Sequence, residues 1–331
     1  MTLEEKVGQL LIVHFNGKAF NEEALELIHK AHVGGFIYYN WANGLESPAQ
    51  VEALSRSLQA HAKYPLFIAI DQEGGNVTRL SQGFTTFPGN KQIGETNNPA
   101  LAEEAARTMA KEMLAVGINV NFAPVVDIHA LPNNRSFGDT SEKVIEFAKR
   151  ALHGYRQEHM ICCLKHFPGM GKVTLDPHED LPILNKLEES ELLPFKELGD
   201  EADMIMTGHV LIPSLDEENC VTLSSKILKE FLSDYKGIII SDSLNMEGVL
   251  KKTGSPTLAA LLAFEAGSDI LLLGGKILNG SKTGFELTSK DIIAIHKALV
   301  DAVQTGRITE ERLNHSLNKI LTLKKSHGLI L

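Results

Sequence analysis

Asp176 and His178 stand two residues apart in LDPHEDLP. A carboxylate beside an imidazole can hold one ring nitrogen and leave the other to exchange a proton near neutral pH, although a loop histidine is most often merely solvated. Lys165-His166 closes the apolar run ICCLKHF, where a lysine suits either a Schiff base or hydrogen bonds to a polyol. Asp242 ends the run GIIISD, and its carboxylate fits a nucleophile, a base or the cap of the next helix. Asp71 and Arg79 lie eight residues apart in IDQEGGNVTRL, around two glycines that allow a sharp turn; they read as a capped turn with a surface ion pair or as a ligand grip. Arg135, in NNRSFGD, is weak evidence alone, and His209, in MTGHV, fits a hydrogen-bonded core histidine slightly better than a catalytic one.

Eight apolar, mostly β-branched runs could place these groups: residues 10–15, 34–41, 65–71, 118–128, 161–167, 203–210, 237–244 and 268–275. Their nearly continuous hydrophobicity suits parallel strands buried on both faces. Amphipathic helical patterns separate them, with Ser47-Pro48 and Asn98-Pro99 as N-cap and first-turn proline. Eight such repeats predict a (β/α)8 barrel of the TIM type, one domain over 1–331, with an extra C-terminal helix at about 308–326. A doubly wound sheet would want GxGxxG after an early strand, and that pattern is absent. Barrel chemistry sits at the C-terminal strand ends. There the sequence offers Asn40, Trp41, Asp71, Glu73, Asp127, Lys165, His166, His209 and Asp242, drawn from six strands.

The formal charge of −10, from 42 acidic and 32 basic side chains with no basic run, argues against nucleic acid or an anionic membrane as partner. No apolar run is long enough to span a bilayer. Three cysteines, two of them adjacent, are no disulfide framework and no zinc motif. The histidines are scattered and no HxH follows the first strand, so neither metal nor cofactor is expected. The N-terminus carries acids where a signal peptide needs bases, so a cytoplasmic monomer is expected unless a signal has been trimmed.

The ordered set IDQEGG…R, NFAPVVDI, RSFG, KHFPGxG…DxH…LP, MTGHV…P…TLS and SDSLNMEG resembles glycoside hydrolase family 3. It is similar in particular to the single-domain β-N-acetylglucosaminidases that release N-acetylglucosamine from peptidoglycan fragments during recycling. The resemblance implies Asp242 as nucleophile, His178 as general acid/base with Asp176 as its partner, and Asp71, Arg79, Arg135, Lys165 and His166 as binders of the sugar hydroxyls. It implies retention through a glycosyl-enzyme, with muropeptides as the small-molecule substrate.

The central loop departs from the family's usual KHFPGHG followed by Asp-Thr, carrying Met170 for the histidine and Lys172-Val173 for the acidic pair. Loop closure and recognition of the leaving group are where that change should tell. A neutral imidazole after the first step would not repel phosphate, so phosphate is an expected acceptor beside water. Two other readings stay open: a Schiff-base lyase on Lys165, and a barrel that binds amino sugars or muropeptides without turnover.

Overall fold

The computed structural model describes residues 1–129, 135–171, 173, 180–277 and 285–330. All eight apolar runs form strands: β1 (Leu11–Val13), β2 (Gly35–Ile37), β3 (Phe67–Ile70), β4 (Val120–Asn121), β5 (Ile161–Phe167), β6 (Met204–Thr207), β7 (Ile238–Ser241) and β8 (Leu271–Leu273). They pair in parallel in the order β7-β6-β5-β4-β3-β2-β1-β8. The ring is closed by a parallel bridge between Ile240 and Ile270 and by Ser241 N donating to Ile270 O at 3.0 Å. This is the expected (β/α)8 barrel. The paired segments are shorter than the apolar runs. In β4 the ladder stops before Pro124, which has no N–H to give, and pairing resumes at a Val125–Lys165 bridge.

The helices are α1 (Leu3–Gly8), α2 (Glu22–Lys30), α3 (Asn40–Asn43), α4 (Pro48–His61), α5 (Asn90–Glu95), α6 (Ala100–Ala115), α7 (Ser141–Gln157), α8 (Glu189–Leu198), α9 (Ser225–Leu232), α10 (Glu247–Thr253), α11 (Pro256–Ala266), α12 (Ser289–Gln304) and α13 (Glu310–Ser326). Ser47 caps α4 by accepting from Gln50 N, with Pro48 in its first turn as expected. The expectation at Asn98-Pro99 is corrected by one residue: Pro99 itself stands at the N-cap of α6, already in the helical region. Helix α8 escaped the periodicity because Pro194 interrupts it, and α11 because its apolar residues cover every side and leave no stripe to detect. Asn40 and Trp41, expected in the second strand, lie in the short helix α3, since β2 ends at Ile37. After β8 a short antiparallel pair forms, β9 (Lys276–Ile277) with β10 (Phe285–Glu286).

The last helix, α13, closes the floor. Asp269 accepts from Ile239 N in the barrel and from Ser316 Oγ and Lys319 Nζ of α13, the latter two at 2.6 Å. Further along, Lys324 Nζ donates to Gln9 Oε1 at 2.9 Å and lies 4.7 Å from the centre of the Phe67 ring. The three cysteines are buried and unpaired. Among the described residues no helix is long and apolar enough to cross a membrane.

Candidate active site

The loop after β3 is built to present two carboxylates and an arginine. Gly74 and Gly75 take φ of 89° and 58°, and a Cβ on Gly74 would stand 2.6 Å from Pro88 O, so the turn beyond Glu73 admits only glycine there. Gln72 splints that turn. Its Oε1 accepts from Arg79 N at 2.8 Å and Leu80 N at 3.0 Å, while Asn121 of β4 holds the Gln72 backbone through both amide atoms. Asp71 and Glu73 thus project from one strand end, two residues apart and on the same side.

Between them sits Lys165 from β5, its side chain only 2% exposed, with Nζ 2.7 Å from Asp71 Oδ1 and 2.6 Å from Glu73 Oε1. Burial alone would draw its pKa down, but the two carboxylates outweigh it and raise the value, so Lys165 is held as an ammonium. A Schiff base needs the neutral, accessible amine, and this geometry opposes it. Glu73 also takes a two-point grip from Arg135, Nε to Oε2 at 2.9 Å and Nη2 to Oε1 at 2.8 Å. Burial would raise the Glu73 carboxyl, yet Lys165 and Arg135 push it well below the usual range. Arg79 reaches Asp71 less closely, at 3.9 Å.

His166 is oriented by Asp127. Its Nδ1 donates to Asp127 Oδ2 at 2.7 Å and its Nε2 lies 3.5 Å from Arg135 Nη2. Asp127 further accepts from the backbone N–H of His166 and of Met170, and these contacts, led by the charge of His166, overcome burial and lower its pKa. Met170 is buried rather than loose: its Sδ fills the space over Gly208, just beyond β6, where a Cβ would come within 2.3 Å. The apolar side chain is therefore packed where the usual loop carries a polar one. Val173 is buried as well.

Asp242 follows β7 directly. Its N–H donates to Thr207 O at 3.0 Å and its Oδ1 accepts from Ser243 N at 2.7 Å. Helix α10 starts at Glu247 with Met246 at its N-cap, so the capping role considered for Asp242 does not hold. His209 is fully buried, with Nδ1 2.9 Å from Thr222 Oγ1 and Nε2 donating to Ser243 O at 2.8 Å. It is the structural histidine that the motif favoured, and it steadies the backbone next to Asp242.

Five of the expected residues, Asp71, Arg79, Arg135, Lys165 and His166, are thus brought together at the C-terminal ends of β3 to β5, with Asp242 at the end of β7. Asp176, His178 and Lys172 lie outside the described residues. Missing from the expected sugar-binding set were Glu73, which joins Lys165 to Arg135, and Asp127, which aims His166. Both stood among the polar strand ends, and the i, i+2 spacing of Asp71 and Glu73 was the available signal.

A family model described as glycosyl hydrolase family 3 N terminal domain matches residues 2–323. Among curated proteins, "Beta-hexosaminidase A" of Pseudoalteromonas piscicida is 33% identical over 336 residues, covering 91% of this chain and 55% of its own length. A β-hexosaminidase of Photobacterium profundum is 34% identical over 274 residues, covering 80% of this chain and 81% of its own. Among solved structures, a family 3 β-N-acetylglucosaminidase from Paenibacillus sp. str. FPU-7 superposes with a TM-score of 0.90 at 38% identity, over 99% of this chain and 63% of that one. A β-N-acetylhexosaminidase from Beutenbergia cavernae gives 0.86 at 27%, over 98% and 99%. The chain therefore spans little more than half of the first relative and under two thirds of the Paenibacillus protein.

Proposed function

The chain belongs to glycosyl hydrolase family 3, and from that premise we propose that it is a retaining, exo-acting β-N-acetylglucosaminidase that removes N-acetylglucosamine from muropeptides. The observation that carries this reading is the donor array of Lys165, Arg135, Arg79 and His166, fixed by Asp71, Glu73 and Asp127 at the same end of the barrel as Asp242. Such an array suits the hydroxyls of one sugar held against one carboxylate. The fixed charges are already paired, so binding requires little reorganisation.

In this reading Asp242 attacks the anomeric carbon while His178, partnered by Asp176, protonates the departing oxygen. Water then releases the sugar with His178 acting as base. Serving as acid and then base asks for a group that titrates near neutral pH, which an imidazole provides. The matched relatives bear hexosaminidase names, which supports the choice of an N-acetylated sugar.

The test is turnover of aryl β-glycosides of N-acetylglucosamine, glucose and xylose by the wild type, Asp242→Ala and His178→Ala. Only the N-acetylglucosaminide should be cleaved efficiently. Asp242→Ala should lose roughly a thousandfold or more in kcat, and His178→Ala should lose most with poor leaving groups and least with good ones. A His178 variant equally slow on both would show that the acid is another residue.

A further inference from the structure

Away from the sugar site, a cleft of about 160 Å³ opens between α8 and α9 on the outside of the barrel. Its floor is Phe167, the last residue of β5, with Ile205 of β6 beside it. Phe195 of α8 meets Phe167 edge-on, with ring centres 5.4 Å apart and planes at 84°, and Phe231 of α9 stands 6.5 Å from the same ring. Tyr235 completes the aromatic wall, its hydroxyl already satisfied by donating to Ala202 O at 3.0 Å.

Gly199 keeps this space open. It lies in the ordinary helical region, at φ −54° and ψ −46°, so its backbone does not require glycine. A Cβ there would meet only Ile205 and Tyr235, none closer than 3.8 Å, and a longer side chain would grow into the cleft. The rim is acidic. Asp200 and Asp234 stand on it, and among the described residues neither carboxylate has an ion pair or a hydrogen bond. Lys196, also on the rim, is drawn toward Glu189 at 3.8 Å. Helices α8 and α9 end just before these acids, at Leu198 and Leu232, so the negative ends of two helix dipoles add to their charge.

We infer that this cleft binds a small aryl-alkyl ammonium, its ring against Phe167 and its cation at Asp200 and Asp234, and that occupancy is felt at His166. An apolar cavity of about 150 Å³ takes one benzene ring, so the volume fits a single ring. Aromatic faces attract a cation, and the two unpaired carboxylates turn away an anion. The route to the sugar site is one residue long. Phe167 follows His166 directly, and its carbonyl accepts from Gly208 N at 2.8 Å, beneath the Met170 sulfur.

The probe is para-fluorobenzylammonium, followed by fluorine NMR, with para-fluorobenzyl alcohol and para-fluorobenzoate as its neutral and anionic counterparts. The ammonium should bind with a Kd on the order of 1 mM. The alcohol should bind about tenfold more weakly, and the benzoate not at all. Replacing both rim acids, Asp200→Asn with Asp234→Asn, should bring ammonium and alcohol to about the same Kd. Gly199→Leu should abolish binding of both and keep the wild-type kcat/KM for the aryl N-acetylglucosaminide measured without amine. Saturating ammonium should change the wild-type KM for that glycoside by about fivefold, and should leave that of Gly199→Leu unchanged.

Equal affinity of the wild type for ammonium and alcohol, or a preference that survives in the double Asn variant, overturns the cation site. An ammonium that Gly199→Leu still binds overturns the cleft as its location. A wild-type KM indifferent to saturating ammonium overturns the link to His166. The link is read through the glycosidase reading, but it can also be read without it. If no glycoside is turned over, that reading falls, the titrations still decide the cleft, and the imidazole NMR signal of His166, shifted by the ammonium or not, decides the link.

Discussion

Glu73 holds two cations at once, Lys165 at 2.6 Å and Arg135 through both carboxylate oxygens, and it does so almost out of contact with water. Removing one partner of a buried pair leaves the others uncompensated. Glu73→Gln should therefore cost about 3 kcal/mol of folding stability, read from urea denaturation. It should also raise KM for the aryl N-acetylglucosaminide about tenfold, because Lys165 and Arg135 lose the anchor that aims them. Glu73→Asp, which keeps the charge, should recover part of both. A glutamine variant with native KM and midpoint would show that Asp71 alone positions Lys165. Asp127 plays the matching part for His166, one acid fixing the tilt of one ring through its Nδ1.

Helix α13 is tied to the barrel by a lysine that has no acidic neighbour among its described contacts. Lys324 is fully buried, meeting Gln9 Oε1, Gly34 O and the face of Phe67, and burial draws its pKa down to about 7. In the unfolded chain a lysine titrates near about 10.4. Between those values the unfolded chain binds a proton that the folded one releases, so this residue's contribution to stability grows as pH rises from 7 toward 10. The melting temperature of the wild type should accordingly gain several degrees on that of Lys324→Met between pH 7 and pH 9.5. A constant gap between the two would mean that the ammonium keeps its proton in the folded barrel. The effect belongs to the helix, since only docking of α13 takes Lys324 out of water.

Across the whole molecule, the buried carboxylates set the response to acid. Glu73 and Asp127 both have pKa values below those of the unfolded chain. Their stabilisation is complete above about pH 4.5 and is lost as pH falls through the folded values. The urea midpoint should therefore fall steadily once pH drops below about 4.5 and keep falling to about pH 2, and a midpoint unchanged over that range would contradict the ion-paired core of the site. The barrel was legible in the sequence because burial on both faces writes a continuous apolar run at each strand, one element at a time. Asp71, Lys165 and Asp242 were legible for a related reason: polar groups at the ends of such runs can only face the mouth. The partnerships were not legible. Lys165 meets Asp71 across 94 positions of chain, and Lys324 meets Gln9 across 315. Strand order and register bring those pairs together, and no local pattern encodes either. The same holds for Trp41, which read as strand and became an exposed ring once β2 ended at Ile37 and Tyr39 turned beneath it. Sequence alone determined the fold and the chemical character of the mouth, since both follow from local burial. Tertiary structure decided which acid holds which base, and where the indole faces, because those depend on distances between elements.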